Sequence, residues 1–348
     1  MAGVILDRVS RRFDDAHVAV DNVSLELRHG ELLAVLGRSG SGKTTLLRLI
    51  AGFERPDGGE IKIGGESVAG NGRFVPPEKR RIGMVFQSYA LWPHMDVRRN
   101  VGYPLEAGGI RGPDYAARVD KALAAVGLSD FAARRPQALS GGQRQRVALA
   151  RCLVMDPAVV LLDEPLASLD VDLRASLRQE FVAFHGSTGA TMLYVTHDQA
   201  EALAIADRIA VLDHGRLLQV APPETLYREP ATPDVAAFVG GGAVVPAEVL
   251  GPATAGQVPV KLLGLTRMLR ATSSQQPGPA EVCLRSEDLF VAGSGVAAFV
   301  TQQAYQGASV ALDLACAGQR LRMSVPAGTI ADGEELKIDI RDGWVIPR

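Results

Sequence analysis

Short apolar runs punctuate the first part of the chain at 31–36 (ELLAVL), 82–86 (IGMVF), 158–162 (AVVLL), 191–196 (TMLYVT) and 208–213 (RIAVLD). Each has the length and solid apolar character of a strand buried on both faces. Between them lie stretches with helical spacing, such as TLLRLIAGF after the first run and YAARVDKALAAVGL at 115–128. Buried strands alternating with helices predict an α/β domain around a largely parallel sheet. Beyond about residue 235 the texture changes: a Gly-, Pro- and Ala-rich stretch leads into short alternating runs such as QVPVKLLG, LRMSVPAG and ELKIDIRDGWVI. Their period of two predicts a small all-β barrel or sandwich. The expected division is an α/β domain over 1–240, with a helical subdomain at about 88–157, and a β-rich domain over 241–348.

The remaining bulk properties narrow the class. A chain of 348 residues suits two domains. The net charge of −2 gives no basic excess that would favour nucleic acid. Cys152, Cys283 and Cys316 are widely spaced and odd in number, without a disulfide or zinc pattern, which fits a reducing compartment. The first apolar residues are too few for a signal peptide, and no run of eighteen apolar residues occurs. If the protein works at a membrane, another chain is expected to span it.

Candidate chemistry gathers at the ends of the apolar runs. Residues 37–45 (GRSGSGKTT) fit G-x-x-x-x-G-K-[ST] at Gly37, Gly42, Lys43 and Thr44, with a strand before and a helix after. In such a loop, backbone N–H groups and the helix N-terminus face phosphates. Lys43 then reaches the β- and γ-phosphates, and Thr44 ligates Mg²⁺. The alternative is a glycine-rich turn without ligand. The run at 158–162 ends in Asp163-Glu164. Asp163 suits Mg²⁺, and Glu164, one residue on, suits a general base that polarises water. The alternative is an acidic loop cap on solvent. His197 ends the run at 191–196, and Gln87 follows the run at 82–86. On position alone either residue is a phosphate or Mg²⁺ contact or an ordinary loop residue. A further stretch, ALSGGQRQRVALARCLV at 138–154, pairs a small polar turn with a helical run carrying three arginines, an arrangement suited to an anion.

In this order and at these spacings, the phosphate loop, Gln87, Leu139-Ser140-Gly141-Gly142-Gln143, Asp163-Glu164 and His197 resemble the ATPase subunit of an ATP-binding cassette (ABC) transporter over roughly residues 3–235. The resemblance implies a P-loop ABC ATPase domain that hydrolyses ATP with Mg²⁺. It implies catalytic roles for Glu164, His197 and Gln87, with His197 contacting the γ-phosphate and Mg²⁺ at Thr44, Gln87 and Asp163. It implies ATP contacts from Arg38, Ser39, Gly40, Ser41 and Thr45 beside the residues already named, and a ring at Phe13 stacked on adenine. Asp170 falls in the family's loop after the catalytic carboxylate, where Ala167 stands in place of the more usual serine. The resemblance further implies two copies packed head to tail, so that Ser140, Gly141, Gly142 and Gln143 of one copy complete the ATP site of the other. Ser140 can equally be read as the cap of its own helix.

The C-terminal part resembles the regulatory OB/TOBE-like barrel of bacterial importer ATPases for ferric iron, phosphonates, polyamines, sulfate or sugars, with Arg285-Ser286-Glu287 at that domain's Arg-Pro-Glu motif. This implies two membrane-spanning permease subunits as partners, a solute-binding protein acting indirectly, and a place on the cytoplasmic face of the plasma membrane. Residues 88–105 are similar to the segment that meets the permease, with Tyr89, Leu91, Trp92 and Met95 as the apolar contact. Residues 238–249 (FVGGGAVVPAEV) resemble ferric-iron or 2-aminoethylphosphonate importer ATPases more than maltose-type ones, which implies one of those two solutes. Two other readings are weaker. A soluble ABC protein of translation or DNA repair would carry a second cassette or a coiled coil, and a P-loop GTPase would carry Asn-Lys-x-Asp, which is absent.

Overall fold

The computed structural model describes residues 2–14, 18–167, 171–328, 333 and 335–347. It divides into two compact units, Met1–Pro223 and Glu224–Arg348.

The first unit is built on two sheets. Strands β1 (Ala2–Arg12), β2 (Val18–Arg28), β4 (Gly58–Ile63), β5 (Glu66–Gly70) and β6 (Arg73–Phe74) form an antiparallel sheet in the order β2-β1-β4-β5-β6. This sheet was not foreseen among the apolar runs, because its strands alternate apolar and polar residues instead of running solidly apolar. The second sheet has the order β11-β10-β3-β9-β8-β7, with β3 (Leu32–Leu36), β7 (Ile82–Val85), β8 (Val159–Asp163), β9 (Met192–Thr196), β10 (Arg208–Asp213) and β11 (Arg216–Ala221). It is parallel except for the β10–β11 hairpin.

The parallel strands are buried on both faces, and successive side chains feed different cores. Val160, Leu162, Met192 and Tyr194 join one cluster with Val101, Leu123 and Val147, whereas Val159, Leu161, Leu193 and Val195 join another with Leu46, Leu49 and Val23. The second cluster contains α1 (Lys43–Ala51) and the antiparallel sheet. The first contains α2 (Val97–Ala107), α3 (Gly112–Ala125) and α4 (Gly141–Leu153), the helices between β7 and β8. Helices α5 (Val171–Thr188) and α6 (Gln199–Ile205) flank β9 in sequence.

The second unit opens with α7 (Pro223–Arg228) and α8 (Pro233–Phe238). A closed barrel follows in the order β12-β13-β14-β20-β15: β12 (Ala243–Val249), β13 (Gln257–Leu262), β14 (Leu265–Arg270), β15 (Gly278–Leu284) and β20 (Trp344–Val345). Strands β16 (Leu289–Tyr305), β17 (Ser309–Cys316), β18 (Gln319–Pro326) and β19 (Glu335–Ile340) form a four-stranded sheet, and both layers share one apolar core. The chain thus joins an α/β domain to a small all-β domain.

Its division falls before the 240/241 boundary expected from composition, because residues 227–239 are held by the β unit. The buried Arg285 guanidinium donates to the carbonyls of Tyr227 (2.6 Å), Ala236 (3.0 Å) and Val239, and its plane lies 4.3 Å from the Tyr227 ring centroid. Glu287 accepts the Tyr227 hydroxyl at 2.9 Å, and the Trp344 indole donates to the Pro230 carbonyl at 3.1 Å. The Arg285-Ser286-Glu287 motif is therefore an anchor for the helices that precede the barrel.

Candidate functional site

Strand register assembles the site. Leu36 pairs with Thr196, Val195 with Asp163, and Leu162 with Val85. The residues that follow, Gly37, His197, Glu164 and the Phe86-Gln87 pair, therefore leave the sheet along its carboxyl edge, where open parallel sheets bind ligands.

The phosphate loop runs from Gly37 into α1. Gly37 admits no side chain, since a Cβ there would lie 2.3 Å from the Leu212 carbonyl oxygen. Gly42 has φ of +100°, and its Cβ would meet the Ala19 carbonyl oxygen at 2.1 Å. As the N-cap of α1, Gly42 supplies no side-chain bond, so the partial positive charge of the helix start is left for a ligand. A cavity of about 140 Å³ opens here, lined by Ala19, Gly40, Ser41, Gly42, Lys43, Thr44 and Thr45. The Lys43 ammonium donates to the Gly37 and Arg38 carbonyls, each at 2.9 Å. Burial pulls its pKa below the ordinary lysine value, opposed by Glu164 and Asp163. Arg38, Ser39 and Gly40 form the exposed rim of the loop.

Asp163 ends β8, half-buried, and burial followed by the neighbouring Glu164 charge raises its pKa, with Arg48 and Lys43 opposing. Glu164 turns into the left-handed region at φ 44°, a strained setting for a side chain other than glycine. The turn brings its Oε2 to 3.1 Å from Nδ1 of His197. Gln87 is exposed and shares a cavity of about 560 Å³ with Phe86, Ser88, Tyr89, Arg144 and Asp163. Phe13 lies just past β1, half exposed, with the Arg11 guanidinium 5.2 Å from its ring centroid.

Ser140, Gly141, Gly142 and Gln143 occupy the start of α4. The Ser140 hydroxyl accepts the Gln143 N–H at 3.2 Å and the Gln143 side chain accepts the Ser140 N–H at 2.9 Å, a reciprocal capping box. The cap leaves the Ser140 O–H and the Gln143 amide N–H groups as donors. The described residues lining the two cavities do not include these four. The arginines that follow each donate to backbone carbonyls. Arg144 donates to the Leu139 carbonyl (2.6 Å), Arg146 to Val126 (3.3 Å), and Arg151 to Ala90 (2.6 Å) and Tyr89 (2.7 Å). Asp170 lies outside the described residues.

The segment after Gln87 is partly claimed by its own domain. Tyr89 is buried and its hydroxyl donates to the Pro165 carbonyl at 3.2 Å. Trp92 packs 4.3 Å from the Tyr103 ring. Large apolar side chains left open nearby in sequence are Phe86 and Tyr103, and the exposed Phe53 ring lies 6.4 Å from that of Phe86. Sequence reasoning also passed over Arg48, whose charge acts on Asp163, and over Thr196, Glu201 and Arg174, which bond to one another and to Asp198 on either side of His197 in the chain. Glu201, a carboxylate among alanines four residues after His197, was the available signal.

The chain is similar to known proteins over most of its length. The ABC transporter family matches residues 20–167. The spermidine/putrescine import ATP-binding protein PotA of Pseudomonas aeruginosa (strain UCBPP-PA14) is 48% identical over 290 residues, covering 82% of this chain and 78% of that protein. The Fe(3+) ions import ATP-binding protein FbpC of Brucella abortus (strain 2308) is 41% identical, covering 93% of this chain and 91% of that protein. Among solved structures, the ATP-binding cassette MJ0796, a dimer in a post-hydrolysis state bound to ADP and Pi, is 31% identical with a TM-score of 0.53, covering 63% of this chain and 98% of that one. The chain belongs to the ABC transporter family, among its import ATP-binding proteins.

Proposed function

We propose that this chain hydrolyses ATP to power solute import, with Glu164 as general base and His197 as its partner. The observation that carries this reading is the 3.1 Å contact between Glu164 Oε2 and His197 Nδ1, beside a phosphate loop with an uncapped helix start. The loop N–H groups and Lys43 bind the phosphates, the Phe13 ring stacks on adenine, and Thr44, Asp163 and Gln87 hold Mg²⁺. The donor set fits a hard cation: one half-buried carboxylate next to a second, a hydroxyl and an amide oxygen. Bound there, Mg²⁺ neutralises charge on the phosphate oxygens. The Glu164 carboxylate takes the proton of the attacking water. His197, bonded to that carboxylate through Nδ1, fixes its direction and offers Nε2 towards the phosphate.

Two copies act together in this reading, the Ser140–Gln143 turn of one closing the phosphate site of the other. The dimeric, ADP-bound relative supports it. The importer relatives support permease partners at the cytoplasmic side of a membrane, and no helix among the described residues is long and apolar enough to cross one. Phe53, Phe86 and Tyr103 form the apolar part of the permease contact, beside Leu91 and Met95. Relatives named for polyamine and for ferric iron match to similar degrees. The solute is decided by uptake of labelled spermidine, ferric iron and sulfate in a deletion strain.

The test of the reaction is steady-state ATPase of Glu164→Gln, which keeps size and hydrogen bonding but not basicity. Its kcat is expected to fall by at least about a hundredfold with KM little changed. Turnover near wild type would remove Glu164 as base.

A further inference from the structure

His197 is held in a way its own side chain does not explain. The imidazole is 56% exposed, so little packing around the ring fixes its direction. What is fixed is the backbone on either side. Thr196 is buried, and its single hydroxyl bonds in two directions: it accepts the Asp198 N–H at 2.9 Å and donates to Glu201 Oε2 at 2.9 Å. A hydroxyl has one proton. Once that proton is committed to Glu201, the lone pairs are left facing Asp198, and the turn that carries His197 closes around it.

Glu201 is a carboxylate only 2% exposed, which is costly unless several partners meet it. Its partners all come from the His197 loop or the elements beside it. Oε2 also accepts the Tyr194 hydroxyl at 3.1 Å, and Oε1 lies 3.7 Å from Nε of Arg174 on α5. Arg174 reaches Asp198 Oδ2 at 3.2 Å, while Asp198 Oδ1 caps α6 by accepting the N–H groups of Ala200 and Glu201. Burial raises the pKa of this carboxyl, and a buried titratable group four residues from an exposed site residue, bonded to the strand end that carries it, marks functional support more than stability.

We infer that Glu201 is a positioning residue for ATP hydrolysis: through the Thr196 hydroxyl it holds the backbone of His197 so that Nδ1 meets Glu164. Arg174 offsets the buried charge and ties the loop to α5. This inference rests on the reading of Glu164 and His197 as the hydrolytic pair.

The experiment is steady-state ATPase of the full-length chain, at concentrations high enough for two copies to associate, with kcat and KM separated. Glu201→Leu and Thr196→Val each remove the relay, and each is expected to lower kcat by about tenfold or more, with KM for ATP within about twofold. Glu201→Gln and Thr196→Ser keep an acceptor and a hydroxyl, and are expected to restore most of the rate. Tyr194→Phe removes the other Glu201 bond without touching the loop, and is expected to leave kcat within about twofold. Placed on His197→Ala, Glu201→Leu costs nothing further, because the residue it positions is gone. Thr196→Val, nearly isosteric, carries the test if Glu201→Leu does not fold. Additive losses in the double variant, a change confined to KM, or an equal kcat loss in Tyr194→Phe would overturn the inference. A kcat loss in His197→Ala with none in Glu201→Leu or Thr196→Val overturns the inference alone. Unchanged kcat in His197→Ala overturns the reading of the pair, and the inference with it.

Discussion

Asp163 shows how a residue of this site is poised against stability. Burial, and then the Glu164 charge beside it, raises its pKa, so the folded chain holds that proton more tightly than the unfolded chain does. The ionised form therefore costs stability. The cost is absent at pH below the ordinary carboxylate range and complete above Asp163's own raised value, so stability declines as pH rises through that window. Asp163→Asn removes the charge at nearly constant shape. It is expected to raise Tm at pH 7, and to raise it by less at acid pH, where the wild-type carboxyl is already protonated. The same variant is expected to lower ATPase kcat by about a hundredfold. A calorimetric scan at two pH values and a phosphate-release assay check both. Asp163 and the phosphate loop were legible in the sequence because their chemistry lies in consecutive residues. The Glu164–His197 contact was not, because those residues stand 33 positions apart and meet only through the β8–β9 register.

At the scale of elements, α4 joins the Ser140 turn to the segment after Gln87. Its first turn carries the Ser140 capping box, and its last turn holds the segment after Gln87. The Arg151 guanidinium donates to the carbonyls of Tyr89 and Ala90, which offsets the cost of their left-handed φ of 58° and 45°. Tyr89 in turn bonds the Pro165 carbonyl, next to Glu164. Arg151→Met keeps the apolar stem and removes both donors, leaving two carbonyls without them. A loss of about 2–4 kcal/mol is expected in urea unfolding, with Arg151→Lys recovering only part, since one ammonium does not reproduce the planar fork. The helix itself was readable from its spacing and its Ser-x-x-Gln cap. The destination of its arginines was not: three cations after a polar turn look like an anion site, and only packing shows that each serves a backbone carbonyl.

At the scale of the molecule, two predictions separate assembly from folding. Ser140→Arg places a long cation at the start of α4, on an exposed residue whose main bonds are local. A single copy is expected to bind ATP with little change, within about threefold, while ATP-dependent dimers, trapped by Glu164→Gln and followed by size-exclusion chromatography, disappear. Dimers that persist would place the partner's contact elsewhere. Within the β unit, a fragment of residues 224–348 is expected to be more stable than one of 241–348. The shorter fragment lacks Tyr227, Ala236 and Val239, whose carbonyls receive the buried Arg285 guanidinium. Exchanging those charge-assisted bonds for water, together with the lost packing of Tyr227 and Ala236, should cost about 1–3 kcal/mol, read from thermal unfolding of the two fragments.

The sequence alone determined the α/β class, the β-rich C-terminal domain, the phosphate loop and the family. These depend on periodicity and on motifs that are local in the chain, where residue type and spacing carry the chemistry. Only the tertiary structure decided that residues 224–239 pack with the β unit, that Tyr89 is buried in its own domain while Trp92 packs on Tyr103, and that Glu201 bonds the Thr196 hydroxyl beside His197. Those outcomes are set by strand register and by where buried polar groups find partners, and both join residues that are far apart in the chain.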